Sequence, residues 1–280
     1  MSDIPISFEE FQKFKEFFYR KTGIQFEDSK RYFVDKRLLE RIRLTGSGTF
    51  RNYFTLLRFQ VSGEELQILT NLMTVNETYF FREEYQLKCL VKSILPEIVA
   101  RKPPGEIIRI WSIPSSSGEE PYSIALYLSE FWPLINEWDI ELISSDIDTE
   151  ILARARAGRY TTRSIQNLPA SLLHRYFTQL PNGEYLISED FRASVEFTRV
   201  NLANPADTWN YHHFDIIFCR NLLIYFDDLS RRKAAEVFYD ALNPGGYVCL
   251  GHSESMSRIT SLFRVRKFPE AIVYQKPETA

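Results

Sequence analysis

Gly118, Glu119 and Glu120 lie in the stretch WSIPSSSGEEPY (residues 111–122), directly after the apolar run EIIRI. A strand that runs into a glycine turn and then a helix commonly marks a nucleotide site, because the helix N-terminus offers free N–H groups to phosphate. Here two carboxylates follow the glycine, and they would repel a pyrophosphate. In a doubly wound sheet the ligand sits at the C-terminal ends of the strands. The polar residues expected there are Ser112 and Ser115 to Glu120 after the first strand, and Asp146 after the second. Asn201 and Leu202 follow VEFTRV, and Arg220 and Asn221 follow FDIIFC.

An acid after the second strand is the usual clamp for ribose hydroxyls, since a carboxylate accepts from both. Asp146 fits that place, whereas Asp148 is better placed to cap the next helix. A nucleoside carrying a cationic sulfonium and an α-amino group would be attracted by Glu119 and Glu120. S-adenosylmethionine is such a ligand. Ser117 and Glu120 have capping-box spacing, so Glu119 is the acid expected to touch it. Pro121 complicates that cap, since it disfavours helical geometry at Glu120 and can start the helix itself.

These residues need a frame that brings them together. SFEEFQKFKEFFYRKTG opens with Ser7 and Glu10 at capping-box spacing, repeats Phe at helical intervals and stops at Gly23. RYFVDKRLLERIRLTG, FRNYFTLLRF and EELQILTNLMT are further helices, so residues 1–75 form an all-α N-terminal domain. Residues 76–105 are a connecting segment that includes a helix over YQLKCLVKSILPEIVARK and ends at Pro103-Pro104-Gly105. From 106 to 280 strands and helices alternate, the pattern of a parallel sheet covered on both faces. FRVRKFPEAIVYQK adds two short antiparallel strands at the edge. A small antiparallel insertion, with a hairpin at PNG, interrupts the alternation at about residues 159–198.

Composition narrows the function. The formal net charge is -3, so the chain as a whole is not a polycation built for nucleic acid. No apolar run approaches the roughly 20 residues that span a bilayer, and the N-terminus lacks a signal-peptide layout. Three scattered cysteines, Cys89, Cys219 and Cys249, fit buried thiols in a reducing cytoplasm. The four histidines have no metal-ligand spacing, and no metal is expected.

Four motifs in order, MTVNETYFFRE, WSIPSSSGEEPYSIA, SSDIDTEILARARAGRY and FCRNLLIYFD, resemble the chemotaxis receptor methyltransferases, the CheR family, over nearly the whole chain. The resemblance implies an α/β fold: a Rossmann-like S-adenosylmethionine-dependent methyltransferase sheet with an inserted antiparallel β-subdomain. It implies methyl esterification of glutamate side chains on methyl-accepting chemotaxis receptors, with S-adenosylhomocysteine as the second product. The partner would be the receptors' cytoplasmic helical region, with a C-terminal tail a further contact for the β-subdomain, and neither nucleic acid nor membrane insertion is implied. By motif match the cofactor residues are Asn76, Thr78, Arg82, Glu119, Asp146, Asn201, Leu202, Arg220 and Asn221, with Gly118 as the turn. Arg82, Asn221 and Tyr225 are the residues expected at the transfer step. This chain departs from many relatives in having Ile113-Pro114 where they carry small residues.

Under this resemblance Phe80 and Phe81 anchor their segment while Asn76, Thr78 and Arg82 face ligand. Arg82 would pair with the methionine carboxylate; taken alone, it would pair with Glu83 or Glu84. The chain lacks the Asn/Asp-Pro-Pro-aromatic stretch common in amino-directed methyltransferases. The run KRYFVDKRLLERIR holds Lys30, Arg31, Lys36, Arg37, Arg41 and Arg43 against two acids, and reads either as a solvated face or as a dock for an acidic helix. Two other functions remain open: transfer to another acceptor such as RNA or a small molecule, and a regulatory protein that binds S-adenosylmethionine without turnover.

Overall fold

The structure is a computed structural model and describes residues 5–278. Helix α1 (Phe8–Thr22) starts with the reciprocal cap its sequence predicts. The Glu10 N–H donates to Ser7 Oγ, and the Ser7 N–H donates to the Glu10 carboxylate. Gly23 ends it at φ 74°, a conformation that glycine adopts without a Cβ clash. Phe11, Phe14 and Phe18 are fully buried against α2 (Arg31–Leu44), α3 (Phe50–Phe59) and α4 (Glu64–Met73), and this core is distinct from those of the sheet.

The connecting segment is less regular than its sequence suggests. Helix α5 (Glu84–Cys89) passes through a π-helical turn, Leu90–Ile94, into α6 (Leu95–Val99). Pro96 has no N–H and crowds the carbonyl four residues back, and the widened turn lies directly before it.

The strands are β1 (Ile108–Ser112), β2 (Ile140–Asp146), β3 (Arg159–Tyr160), β4 (Phe177–Gln179), β5 (Tyr185–Ile187), β6 (Val195–Arg199), β7 (Phe214–Cys219), β8 (Leu242–Leu250), β9 (Arg264–Lys267) and β10 (Ile272–Gln275). The main sheet has the order β6-β2-β1-β7-β8-β10-β9. Its first five strands are parallel, and β10 and β9 add antiparallel around Pro269. From β1 the chain winds outward to β2 and β6, then returns to β7 on the other side. The resulting switch point beside β1 opens a crevice at the strand ends. Helices α7 (Glu119–Phe131) and α8 (Thr149–Ala157) leave that edge directly.

The antiparallel insertion is shorter than the sequence pattern suggests. Its sheet, β3-β5-β4, occupies residues 159–187 together with α9 (Thr162–Ile165) and α10 (Ala170–Tyr176). After α11 (Glu189–Ala193), Val195–Arg199 leaves the insertion and forms the parallel edge of the main sheet, with Val195 opposite Leu142 and Arg199 opposite Asp146. Val195 and Phe197 alternate into the core, so burial assigns this strand to the large sheet. Helix α12 (Pro205–Thr208) precedes β7, and α13 (Asp228–Ala241) precedes β8. The three cysteines are buried free thiols.

Candidate active site

A cavity of about 670 Å³ lies at the crevice, within the size range of small-ligand sites. The sheet supplies Ile113, Pro114, Asp146, Val200 and Leu202 to it. The facing wall comes from the helical domain and includes Ile24, Phe26, Phe33 and Met73. A smaller chamber of about 120 Å³ adjoins and takes Thr78, Arg82, Glu120 and Arg220 into its walls. The two share Val75, Asn76, Pro114, Asn221, Ile224 and Tyr225. Nine of the expected residues therefore meet here: Asn76, Thr78, Arg82, Asp146, Asn201, Leu202, Arg220, Asn221 and Tyr225.

Asp146 ends β2 and is 3% exposed. One carboxylate oxygen accepts the Ser116 N–H at 2.9 Å and the other the Asp148 N–H at 3.0 Å. It thus holds the loop after β1 and the entry to α8 at once. Burial pushes its carboxyl up to about 6, against the pull of those N–H donors. Each oxygen keeps lone-pair capacity for a hydroxyl from the cavity side. Asp148 caps α8 as its position predicts, accepting the N–H groups of Glu150 and Ile151 at 3.0 Å each.

The paired acids are placed differently from expectation, and neither caps α7. Glu119, 3% exposed, lines neither chamber. Its carboxylate accepts from Ser117 Oγ and from Ser164 Oγ of the insertion, which turns it away from the site. Glu120 instead lines the small chamber, where it accepts from Ser112 Oγ at 2.9 Å and pairs with Arg220 at 3.1 Å. The Ser117–Glu120 capping box does not form. Gly118 is the N-cap at φ 94°, and α7 begins at Glu119 with Pro121 already inside it. Burial pushes the Glu120 carboxyl up and Arg220 pulls it back. Gly118 also lies outside both linings. A Cβ there would stand 3.0 Å from the side chains of Tyr122 and Tyr160, so this glycine serves the close packing behind the loop.

Arg220 lies between Glu83 at 3.3 Å and Glu120 at 3.1 Å. Two acids share this guanidinium, and Arg82 brings a second positive charge to the same chamber, an arrangement suited to a zwitterionic ligand tail. Arg82 makes no ion pair among the described residues. Glu84 is taken by Lys88 and Glu83 by Arg220, while Arg82 donates to the Glu77 carbonyl at 3.0 Å. It is free to fork onto a carboxylate. Phe80 and Phe81 anchor the segment: Phe80 meets Tyr160 and Phe177 edge-on, and Phe81 meets Tyr127. A cavity of this size with a buried acid at the end of β2, and an arginine without an ion pair among the described residues beside a second, largely buried acid, together fit adenosylmethionine.

Phe81, Glu83, Ser116 and Asn221 all have positive φ, from 47° to 57°. Such strain persists where the surroundings over-determine it. For Asn221 the support is Glu254, whose carboxylate accepts the N–H groups of Asn221 and Gly251 at 2.9 Å and of Leu223 at 2.8 Å. Glu254 is not among the site residues expected from the sequence. Its signal is GHSE directly after the buried strand β8, at the same edge as the other site residues. The helical wall was missed as well, and no local signal announces it. It is held by Tyr19, which donates to Asp227 at 2.9 Å, by Asn201, which donates to the Lys21 carbonyl at 2.6 Å, and by an Ile24–Phe226 bridge. Tyr225 is 39% exposed beside that bridge.

The basic run of α2 divides. Arg41 pairs with Glu65 through two bonds of 2.9 and 2.7 Å, Arg31 bonds Asp35, and Arg37 donates to the Phe33 and Leu72 carbonyls. These three hold the helical domain together. Lys30, Lys36 and Arg43 remain exposed.

Residues 76–272 match the CheR methyltransferase, SAM binding domain, and residues 9–74 the CheR methyltransferase, all-alpha domain. Chemotaxis protein methyltransferase 2 of Vibrio cholerae is 58% identical over 277 residues, 99% of this chain and 96% of the relative. A protein of the same name from Pseudomonas aeruginosa is 38% identical over 91% of this chain and 90% of its own length. The chemotaxis protein methyltransferase of Escherichia coli is 35% identical over 91% and 87%. With both of its regions matched in order, the chain belongs to the CheR methyltransferase family.

Proposed function

We infer that this chain methylates glutamate side-chain carboxylates of chemotaxis receptors with S-adenosylmethionine, forming glutamate methyl esters. The observation that carries the reading is the junction of the two chambers, shared by Asn76, Asn221 and Tyr225. The adenosine would occupy the large chamber over Asp146, with Asn201 and Leu202 beside it. The methionine end would enter the small chamber, its carboxylate on Arg82 and its amino group on Glu120, in place of Glu119. When bound, the cofactor supplies a methyl group on a positively charged sulfur, and that methyl would lie at the junction.

The chain's own part is positioning and desolvation. A glutamate carboxylate has a pKa of about 4.3, so the acceptor is ionised at neutral pH and no base has to remove a proton. Tyr225 at the mouth would orient it, its hydroxyl kept protonated because burial pushes its pKa up. Asn221 would border the same space. The receptor-saturated rate is therefore expected to be flat from about pH 6 to 8, and Tyr225→Phe to lower it without a new pH dependence. A single-turnover rate rising tenfold per pH unit would require a base and sink this mechanism.

The division into a helical domain (1–75), a connecting segment (76–105) and a catalytic domain (106–280) belongs to the same reading; the separate core of the helical domain supports its first boundary, while the buried side chains of the connecting segment pack in the core of the sheet. So does a cytoplasmic location facing the receptors' helical region. No helix among the described residues is long and apolar enough to cross a membrane. The small sheet is a candidate grip for a receptor tail. The test is incubation with labelled adenosylmethionine and membranes containing the organism's receptors. Base-labile label on receptor bands is expected; label on nucleic acid, or none at all with bound cofactor, would overturn the reading.

A further inference from the structure

Glu254 directs its carboxylate to the backbone and forms no ion pair among the described residues. Its Oε2 accepts the N–H groups of Asn221 and Gly251 at 2.9 Å each, and its Oε1 accepts the Leu223 N–H at 2.8 Å. The Glu254 N–H donates to the Gly251 carbonyl at 3.0 Å, closing a turn after β8 that carries the carboxylate back to the segment after β7. The fit is close. A Cβ on Gly251 would stand 2.8 Å from Glu254 Oε2 and 3.0 Å from the Asn221 nitrogen.

The segment held in this way carries the residues of the chamber junction. Asn221 has φ 57°, a left-handed conformation that residues with side chains seldom keep unless something holds it. Leu223 begins a 3₁₀ turn, Leu223–Tyr225, and an N–H at the start of such a turn has no partner within it. Glu254 supplies one. At the far end the helical domain takes hold: the Gln25 N–H donates to the Tyr225 carbonyl at 3.4 Å, and Ile24 bridges Phe226. Asn221 and Tyr225 border both chambers, whereas Glu254 borders neither. Arg220, one residue earlier, is fixed separately by Glu83, Glu120 and the Arg82 carbonyl.

We propose that Glu254 is a positioning residue for methyl transfer: it fixes the turn from Asn221 to Tyr225, and so sets where the acceptor carboxylate is met at the junction. This rests on the function proposed above. Asp146, Arg82 and Glu120 make no hydrogen bond to Glu254 among the described residues. Its loss therefore acts on the transfer step and spares cofactor affinity.

The experiment is single-turnover methylation of receptor-containing membranes by the full chain, with cofactor affinity measured separately by calorimetry. In Glu254→Gln, whichever way the amide turns, its NH₂ faces at least one of the three N–H groups. Transfer is expected to slow about tenfold, since a displacement of about 1 Å can cost about 100-fold. The dissociation constants of S-adenosylmethionine and S-adenosylhomocysteine should change by no more than about twofold, the scale of effects between sites that share no partner. Gly251→Ala wedges Glu254 and Asn221 apart with every hydrogen-bonding group retained, and should show the same split should the first variant fold poorly. In a Tyr225→Phe background Glu254→Gln should slow transfer by less than about threefold, because both act through one turn; a merely structural role would multiply the two losses. Unchanged transfer in folded Glu254→Gln and Gly251→Ala, cofactor affinity falling in step with the rate, or multiplying losses in the double variant would overturn the proposal. In the wild-type protein the amides of Asn221, Leu223 and Gly251 should exchange slowly with solvent, and rapid exchange would overturn it without any variant. Wild-type protein that binds cofactor but labels no receptor would instead overturn the function on which this rests.

Discussion

The two chambers of the site are built on opposite principles. The large one places apolar side chains of the sheet edge opposite those of the helical domain, with Glu27, Lys30, Asp227, Asp228 and Arg231 also in its lining, and Asp146 at the end of β2 already accepts two backbone N–H groups. The small one gathers charge: Arg82 with no carboxylate partner among the described residues, and Arg220 between two acids. The first chamber is therefore set by shape and a pre-oriented acceptor, and the second by an electrostatic balance that a zwitterionic tail would complete. Loss of the acceptor in the first should therefore weaken every nucleoside ligand, whereas loss of a charge in the second should weaken only ligands that carry the methionine tail.

The largest effect should come from Asp146→Ala. It is expected to weaken adenosylmethionine, adenosylhomocysteine and methylthioadenosine alike by about 3 kcal/mol, the upper range for hydrogen bonds to a charged group. The melting temperature should fall as well, since Ser116 and Asp148 lose their acceptor. Calorimetry with equal affinity in a folded variant would remove Asp146 from the site. The same residue sets a pH signature. Hydroxyls donate to its ionised form, so binding favours deprotonation. Affinity should be constant above about pH 6 and decline toward tenfold per unit below it, following the raised value of about 6.

Arg82→Met should separate the chambers. A loss of about 2 kcal/mol is expected for both ligands that carry the methionine carboxylate. Methylthioadenosine, which lacks that tail, should bind unchanged. Weakening of all three would show that Arg82 shapes the large chamber and that the distinction fails.

The adjacent acids offer a finer cut. Glu120→Gln should cost about 1.5 kcal/mol in adenosylmethionine binding, and Glu119→Gln no more than about 0.5 kcal/mol. Glu119→Gln should act instead on stability, read by thermal melting, because its partner Ser164 lies in the insertion. The reverse order of affinities would return Glu119 to the site.

The smallest effect tests whether charge outside the chambers matters. Reversing Lys36 and Arg43 to Glu should reduce receptor methylation at low salt by about 1 kcal/mol in kcat/KM, the scale of exposed charge pairs. Cofactor affinity should stay intact. Arg41 is a poor choice for this experiment, since Arg41→Glu would leave Glu65 buried without its partner. Normal turnover by the Lys36 and Arg43 variant would leave this face merely solvated.

Much of this was legible in the sequence. The periodicities of 3.6 and 2 in α1, β1, β2 and β7 follow from which side chains must be buried, a local property of each segment. The capping box at Ser7 and Glu10, the caps at Asp148 and Gly23, and the placing of Asp146, Asn201 and Arg220 at strand ends are short-range consequences of that pattern. What tertiary structure alone decided is where neighbouring side chains point once distant segments arrive. Glu119 and Glu120 are equivalent in the sequence, and Ser164 and Arg220 separate them from 45 and 100 residues away. Val195–Arg199 reads like part of the insertion, and only its pairing with β2 assigns it to the main sheet. The helical wall of the cavity has no signature at all, because it is formed by docking one domain on the other. A local sequence pattern records burial within its own element; contacts between elements depend on the packing of whole surfaces, which no short stretch encodes.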